Sequence, residues 1–240
     1  TKEKDVIYKV PVLGGSPTKI VEKAYGGSVS PDGKTIVFIR DAEDESMSLM
    51  LANADGSNER ILIKGQPNWV DPIFCGGVPA WSLDGKTIAC WQQFSDKNEK
   101  YWRLIKVSVA DGSQQVLSEQ KWDIISGAVW MPDGNLIVTG KEKSAEWYAP
   151  QQIWLIAPNT APKRITNDLD GYSKISATAK GDVLVTLQPK QMRDLWILPD
   201  NDASRARQVT FTGEIGGAAI WMPDGKLVFG SKITGNLEIW

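Results

Sequence analysis

Apolar positions in this chain fall in short alternating runs broken by Gly, Asp, Asn and Pro, and no stretch sustains the period of a helix. The pattern predicts strands joined by tight turns. One hairpin recurs as SVSPDGKTIVF (28–38), PAWSLDGKTIAC (79–90), AVWMPDGNLIVTG (128–140) and AIWMPDGKLVFGS (219–231). A fifth copy, SATAKGDVLVTL (176–187), lacks the aromatic residue and turns at Lys180-Gly181-Asp182. In each copy an entering strand, a, meets a turn in which the carboxylate bonds its own backbone and Gly supplies positive φ; an apolar strand, b, leaves it. A second hairpin, c–d, follows each of the first four copies along the chain and also opens it. Its turns are Gly14-Gly15, Asp55-Gly56, Asp111-Gly112, Asn159-Thr160 and Asn201-Asp202.

The turn residues Asp32, Asp84, Asp133, Lys180 and Asp224 advance by 52, 49, 47 and 44 residues. That period suits one four-stranded propeller blade. A β-sandwich also has short strands and regular turns, but it gives no reason for a pair of hairpins to return at this interval. The prediction is therefore an all-β chain, a β-propeller of four-stranded antiparallel blades. Its hairpins lie near 28–63, 78–117, 127–166, 173–211 and 217–240, in a single domain, or a fragment of one, spanning 1–240. About five blades are visible: a c–d pair, four complete repeats and a closing a, b and c, which makes 21 strands. A closed five-bladed ring holds 20. Either one strand is displaced where the ends overlap, or, the reading we prefer, the chain is an arc of a six- or seven-bladed propeller with open blade edges available for association.

Composition narrows the function. Hydrophobic residues are 42% and charged residues 23%, an ordinary globular balance. A net charge of −2 with scattered Lys and Arg argues against nucleic acid. No apolar run approaches the ~20 residues a spanning helix needs, so no membrane insertion by this chain is expected. The polar start Thr1-Lys2-Glu3-Lys4-Asp5 suggests a processed chain or a piece of a larger protein. With the hairpin turning at Asp84-Gly85, Cys90 falls opposite Pro79, roughly 13 Å from Cys75, too far for a disulfide; two free, mostly buried thiols are expected.

There is no histidine. Serine or cysteine nucleophiles thus lack their usual base, and histidine metal sites are impossible. No phosphate-cradling loop, nucleophile elbow or kinase signature is present. An EF-hand register on Asp55-Gly56 would put Leu51 and Leu62 at ligand positions, and one on Asp170-Gly171 would put Thr166 and Ala177 there. A non-standard calcium site stays open, and nothing singles out a carboxylate pair for glycoside chemistry. The expectation is a non-catalytic chain with no cofactor and no metal.

Alternating strand direction puts the a–b and c–d turns on one face and the b–c and d–a connections on the other. On that second face the long segments 64–77, 118–127 and 140–151 bring Trp69, Phe74, Trp122, Trp147 and Tyr148 near Asp71, Asp123 and Glu146. Aromatic rings beside carboxylates suit a peptide, a sugar or a cationic group. The competing reading is that these rings pack between blades. Trp81, Trp91, Trp102, Trp130, Trp154, Trp196 and Trp221 recur at strand positions and read as core.

The SPDGK and MPDGK turns before apolar strands, the IYKVPVLGGSPTKI hairpin and the endings PKRIT and RQVTF resemble the TolB-type, WD-repeat-like propeller family over essentially the whole chain. The resemblance implies roughly six or seven blades. It also implies the settings of such modules: the periplasmic TolB protein, the propellers beside prolyl-oligopeptidase hydrolase domains, tricorn protease, and C-terminal sensor regions of bacterial membrane serine/threonine kinases. The implied function is a non-catalytic interaction or sensor domain, periplasmic or extracytoplasmic, taking a protein, peptide or small ligand on the long-loop face. The alternative is the substrate-gating propeller of a prolyl-oligopeptidase-like serine peptidase whose catalytic domain lies outside this chain. Lyase or glycosidase propellers are a third setting, disfavoured because metal-holding lyases of that kind would need the absent histidine.

Overall fold

The structure, a computed structural model, describes residues 5–41, 46–65, 78–96, 99–146, 149–190 and 192–240. It divides into two compact units, Thr1–Gln188 and Pro189–Trp240. In the first, β1 (Val6–Lys9) and β2 (Thr18–Glu22) form a hairpin. A four-stranded sheet follows, β3 (Ala24–Val29), β4 (Thr35–Asp41), β5 (Met47–Asn53) and β6 (Arg60–Ile63), ordered as in sequence. The next repeat is β7 (Ala80–Trp81), β8 (Thr87–Asp96), β9 (Glu99–Ser108) and β10 (Gln114–Val116). The third is β11 (Trp122–Trp130), β12 (Leu136–Glu142), β13 (Gln152–Ile156) and β14 (Lys163–Arg164), and the unit ends on the pair β15 (Ser173–Ala177) and β16 (Leu184–Leu187).

The second unit holds the pair β17 (Trp196–Ile197) and β18 (Arg207–Gln208), then a sheet of β19 (Ile215–Trp221), β20 (Leu227–Ser231) and β21 (Glu238–Ile239). Two 3-10 turns, Pro199–Asn201 and Ala203–Arg205, replace the tight turn expected at Asn201-Asp202. All of these ladders are antiparallel, and the 21 strands among the described residues match the count and order of the hairpin pattern. The fourth repeat departs from it by forming two separate hairpins. Its b–c connection carries Pro189, which has no N–H to extend the β16 ladder.

Successive residues of a strand point to opposite faces, and here both faces of a sheet are covered. Ile36 and Phe38 of β4 pack with Val21 and Ile7, while Val37 and Ile39 pack on the other side with Ile88, Cys90, Ile105 and Val107. Ala89 and Trp91 of β8 then meet Trp122, Ile125, Leu136 and Val138 of the third repeat. This is why TIVF and TIAC read as continuous apolar runs. Each fully buried Ile, Leu or Phe contributes about 1.5–3 kcal/mol by its removal from water. Cys90 is buried and free, whereas Cys75 lies outside the described residues.

The turns follow their chemistry. Asp84 accepts from the Lys86 N–H at 3.0 Å, and the Ser82 hydroxyl accepts from the Thr87 N–H at 3.0 Å. Ser30 and Asp32 repeat the arrangement, with Lys34 N–H on Asp32 at 3.1 Å. The c–d turns also pack against the outer strand of the preceding repeat. A β-carbon on Gly56 would stand 2.2 Å from the Ile20 carbonyl oxygen and one on Gly112 2.3 Å from that of Leu62. Only glycine fits there, and both residues have positive φ as well.

Candidate functional site

The b–c hairpin of the second repeat runs ten residues in each strand, β8 and β9, well past the end of its outer strand β10. Phe94 and Tyr101 face each other across it, their rings stacked at 6.1 Å. The Arg103 guanidinium lies over both, 5.5 Å from Phe94 and 5.4 Å from Tyr101, and the Lys121 ammonium sits 4.3 Å from the Tyr101 ring. Arg103 pairs with Glu119 at 3.0 Å, and Lys121 approaches Glu99 at 3.6 Å. Each cation–ring contact in such a partly exposed setting is worth about 0.5–1 kcal/mol. Together they stiffen the hairpin from the side of the following loop.

Of the residues singled out from sequence, Trp122, Asp123 and Glu146 are described; Trp69, Asp71, Phe74, Trp147 and Tyr148 lie outside the described residues. The segment expected as a 118–127 loop is in part strand, because β11 starts at Trp122 and pairs with Glu142 of β12 and Trp102 of β9. Strand alternation then sends Trp122 inward and Asp123 outward. Trp122 is fully buried, edge-on to Trp154 with ring centroids 5.2 Å apart. Gly140 allows this, since a β-carbon there would stand 3.1 Å from the Trp122 ring. Trp122 therefore offers no surface to a ligand and fits the packing reading, and its indole N–H meets no acceptor among the described residues.

Asp123 is at the surface. It accepts from Lys141 at 2.8 Å and has Lys143 at 3.6 Å. The Lys141 hydrogen bond, followed by the charges of both lysines, holds its carboxyl below the usual range. Glu146 is exposed, and its carbonyl accepts from the Ala149 N–H at 2.9 Å. Phe94, Glu99, Tyr101, Arg103, Glu119, Lys121 and Lys143 were not singled out from sequence. The aromatic residues of WQQFSD and KYWRLI, set in two β-prone runs, were the signal that would have extended this hairpin and placed its aromatic pair.

A cleft of about 860 Å³ opens beside this cluster. Residues 116–121 form one wall, Glu99, Lys143 and Ser144 one end, and the third repeat's c–d turn, 159–162, the other. That turn is Asn159-Thr160, with none of the close-packed glycine that seals the two preceding junctions at Gly56 and Gly112. A smaller cavity of about 170 Å³ adjoins it, shares Val116 and Leu117, and is floored by Trp130 and Ile156. The cleft thus combines exposed backbone, two ammonium groups and paired carboxylates, and the adjoining cavity adds the apolar Trp130 and Ile156. Among the described residues, no group of three or more acidic or cysteine side chains is placed to hold a metal ion, and none of their helices is long and apolar enough to cross a membrane.

No protein-family model matches the chain. An alignment 141 positions long, covering 51% of this chain and 19% of the other, is 30% identical to dipeptidyl-peptidase 5 of Aspergillus oryzae. The chain thus spans about a fifth of the curated relative it matches. TolB from Acinetobacter baumannii is similar in structure with a TM-score of 0.61 and 15% identity, over 98% of this chain and 56% of that one. The β-propeller domain of the trilobed protease from Pyrococcus furiosus gives a TM-score of 0.50 at 16% identity, over 98% of this chain and 74% of that one. Identities of this size speak for fold alone: the chain has the TolB-like β-propeller fold, built of antiparallel sheets.

Proposed function

We propose that this chain is a non-catalytic binding propeller that holds a protein or peptide segment in the cleft between its second and third repeats. The observation that carries the reading is the 860 Å³ cleft with Lys121 and Lys143 at one end, backbone along one wall and a smaller cavity lined by Trp130 and Ile156 beside it. A volume near 300–1,000 Å³ with few convergent polar groups is the usual form of a binding site. The absence of histidine from the sequence supports a binding role over a catalytic one. Within this class the resemblance to TolB and to kinase sensor regions favours an extracytoplasmic setting. A second reading, the substrate-gating propeller of a prolyl-oligopeptidase-like serine peptidase, is favoured by the 30% identity to dipeptidyl-peptidase 5. In that case the catalytic residues belong to another part of the parent protein.

An array of decapeptides of varied charge, probed with the wild-type chain and with the double variant Lys121→Glu, Lys143→Glu, tests the binding reading. The expected result is a set of peptides retained by the wild type and lost by the variant, both measured well below their melting temperatures. Retention of no peptide at all, or identical retention by both proteins, defeats it.

A further inference from the structure

We infer that the ligand of this cleft is an extended acidic peptide, which adds as a strand to the open edge of β10 and sets a carboxylate against Lys121 and Lys143. This rests on the binding reading above and names its partner chemistry. Two hydrogen bonds fix the orientation of the edge. The Leu117 N–H donates to the Leu104 carbonyl at 2.9 Å, and the Ser108 N–H donates to the Ser113 carbonyl at 2.9 Å. Residues 113, 115 and 117 thus face β9, and by antiparallel alternation the N–H and C=O groups of Gln114 and Val116 face away from it. Among the described residues β10 pairs with no strand but β9. Val116, whose polar backbone faces outward, borders both the cleft and the cavity below it.

The repeat shows that this space is a departure. At the two preceding junctions a turn glycine fills it, against Ile20 and then against Leu62. At the third, Asn159 already holds φ +57, the turn carries no glycine, and the cleft opens. An unpaired strand edge beside a cleft is a template for a further strand.

Charge selects the occupant. The Lys143 N–H donates to the Lys121 carbonyl at 2.9 Å, so the two lysines stand side by side on neighbouring segments. Lys121 meets Glu99 at 3.6 Å and Lys143 meets Asp123 at 3.6 Å, both beyond hydrogen-bond reach. Asp123 is already hydrogen-bonded by Lys141 at 2.8 Å. Neither Lys121 nor Lys143 thus has a carboxylate oxygen within hydrogen-bond distance among the described residues, and a carboxylate from the ligand supplies one to both. Glu119 does not oppose it, because its charge is matched by Arg103 at 3.0 Å.

The test uses fluorescein-labelled Thr-Val-Glu-Val-Thr, capped at both ends, its Gln twin, and a version N-methylated on alternate residues, followed by fluorescence anisotropy. The Glu peptide should bind about tenfold more tightly than the Gln twin. Lys121→Gln with Lys143→Gln should abolish that preference. Val116→Pro removes an outward N–H without touching the β9 ladder and should weaken both peptides about tenfold. If Val116→Pro lowers the melting temperature, loss of binding by the N-methylated peptide supplies the same evidence on the wild-type chain. Equal binding of the Glu and Gln peptides, full binding of the N-methylated one, or competition by free glutamate as effective as the peptide overturns the inference. In those cases array peptides of other composition that still need Lys121 and Lys143 leave the broader binding reading standing. Failure of every peptide removes both.

Discussion

The Trp130 indole N–H donates to the Ala80 carbonyl at 3.1 Å, tying the a strand of the third repeat to that of the second. One repeat earlier, Trp81 donates to the Ser28 carbonyl at 3.3 Å. Trp81 and Trp130 are equivalent residues, each just before its Asp-Gly turn, and Ser28 and Ala80 are equivalent acceptors. The tryptophans that recur in the sequence therefore act as struts between neighbouring repeats as well as apolar filling. Trp130→Phe keeps most of the ring and removes the donor, so it should lower unfolding free energy by about 1 kcal/mol. Trp130→Ala should cost about 3 kcal/mol or more through the added loss of packing. Urea denaturation midpoints decide it: a Phe variant as stable as the wild type would mean that the hydrogen bond contributes nothing.

Gly112 and Gly134 both have positive φ, at +73 and +82, but their surroundings differ. A β-carbon on Gly134 meets nothing within 4 Å, whereas one on Gly112 meets the Leu62 carbonyl oxygen at 2.3 Å. Gly134→Ala should cost about 1 kcal/mol, the backbone penalty alone. Gly112→Ala adds a clash between repeats and should cost a further 1–3 kcal/mol or so. The comparison is made by thermal unfolding of both variants, and equal losses would contradict the seal that this turn makes.

The hairpins and their order were legible because the Asp-Gly turns and the apolar alternation are local signals. The site was less so. On the sequence pattern Trp122 and Asp123 fall in a long irregular loop; in the structure, register shifts at Trp122/Ile124 and Ile125/Gly127 keep one strand running through them. The cluster of Phe94, Tyr101, Arg103 and Lys121 depends on how far β8 and β9 extend past their blade. The cleft depends on a missing glycine at Asn159-Thr160. Both are relations between repeats, which a pattern read along one repeat does not contain.

Acid should loosen the turns. The Ser30 and Ser82 hydroxyls, then backbone N–H groups, hold Asp32 and Asp84 below the ordinary carboxyl range, and Asp111 is lowered to about 2 by Ser108 and then by Ser113. A carboxyl depressed in the folded state stabilises it above its unfolded pKa, and that stabilisation disappears as pH falls through the folded value. Stability should be flat above about pH 5 and should decline from about pH 4 toward pH 2. Asp111→Asn should remove part of that slope. A pH series of melting temperatures with the same slope in the wild type and the variant would assign acid sensitivity elsewhere.

Trp122 separates a structural role from a ligand contact. Its ring is fully buried against Trp154, and Gly140 is cut to fit it. Trp122→Ala should destabilise the chain by about 3–5 kcal/mol. Lys143 stands on the adjoining strand segment at the mouth of the cleft, its side chain only partly buried. Lys143→Gln should leave the melting temperature within about a degree, because an exposed pair at 3.6 Å contributes little to folding. The two variants should therefore split cleanly: Trp122→Ala lowers stability and affects peptide binding only in proportion to the unfolded fraction, whereas Lys143→Gln lowers affinity in a fully folded protein. Binding measured well below the melting temperature of each variant makes the distinction. If Trp122→Ala abolished binding while still folded, the tryptophan would be shaping the cleft as well as filling the core.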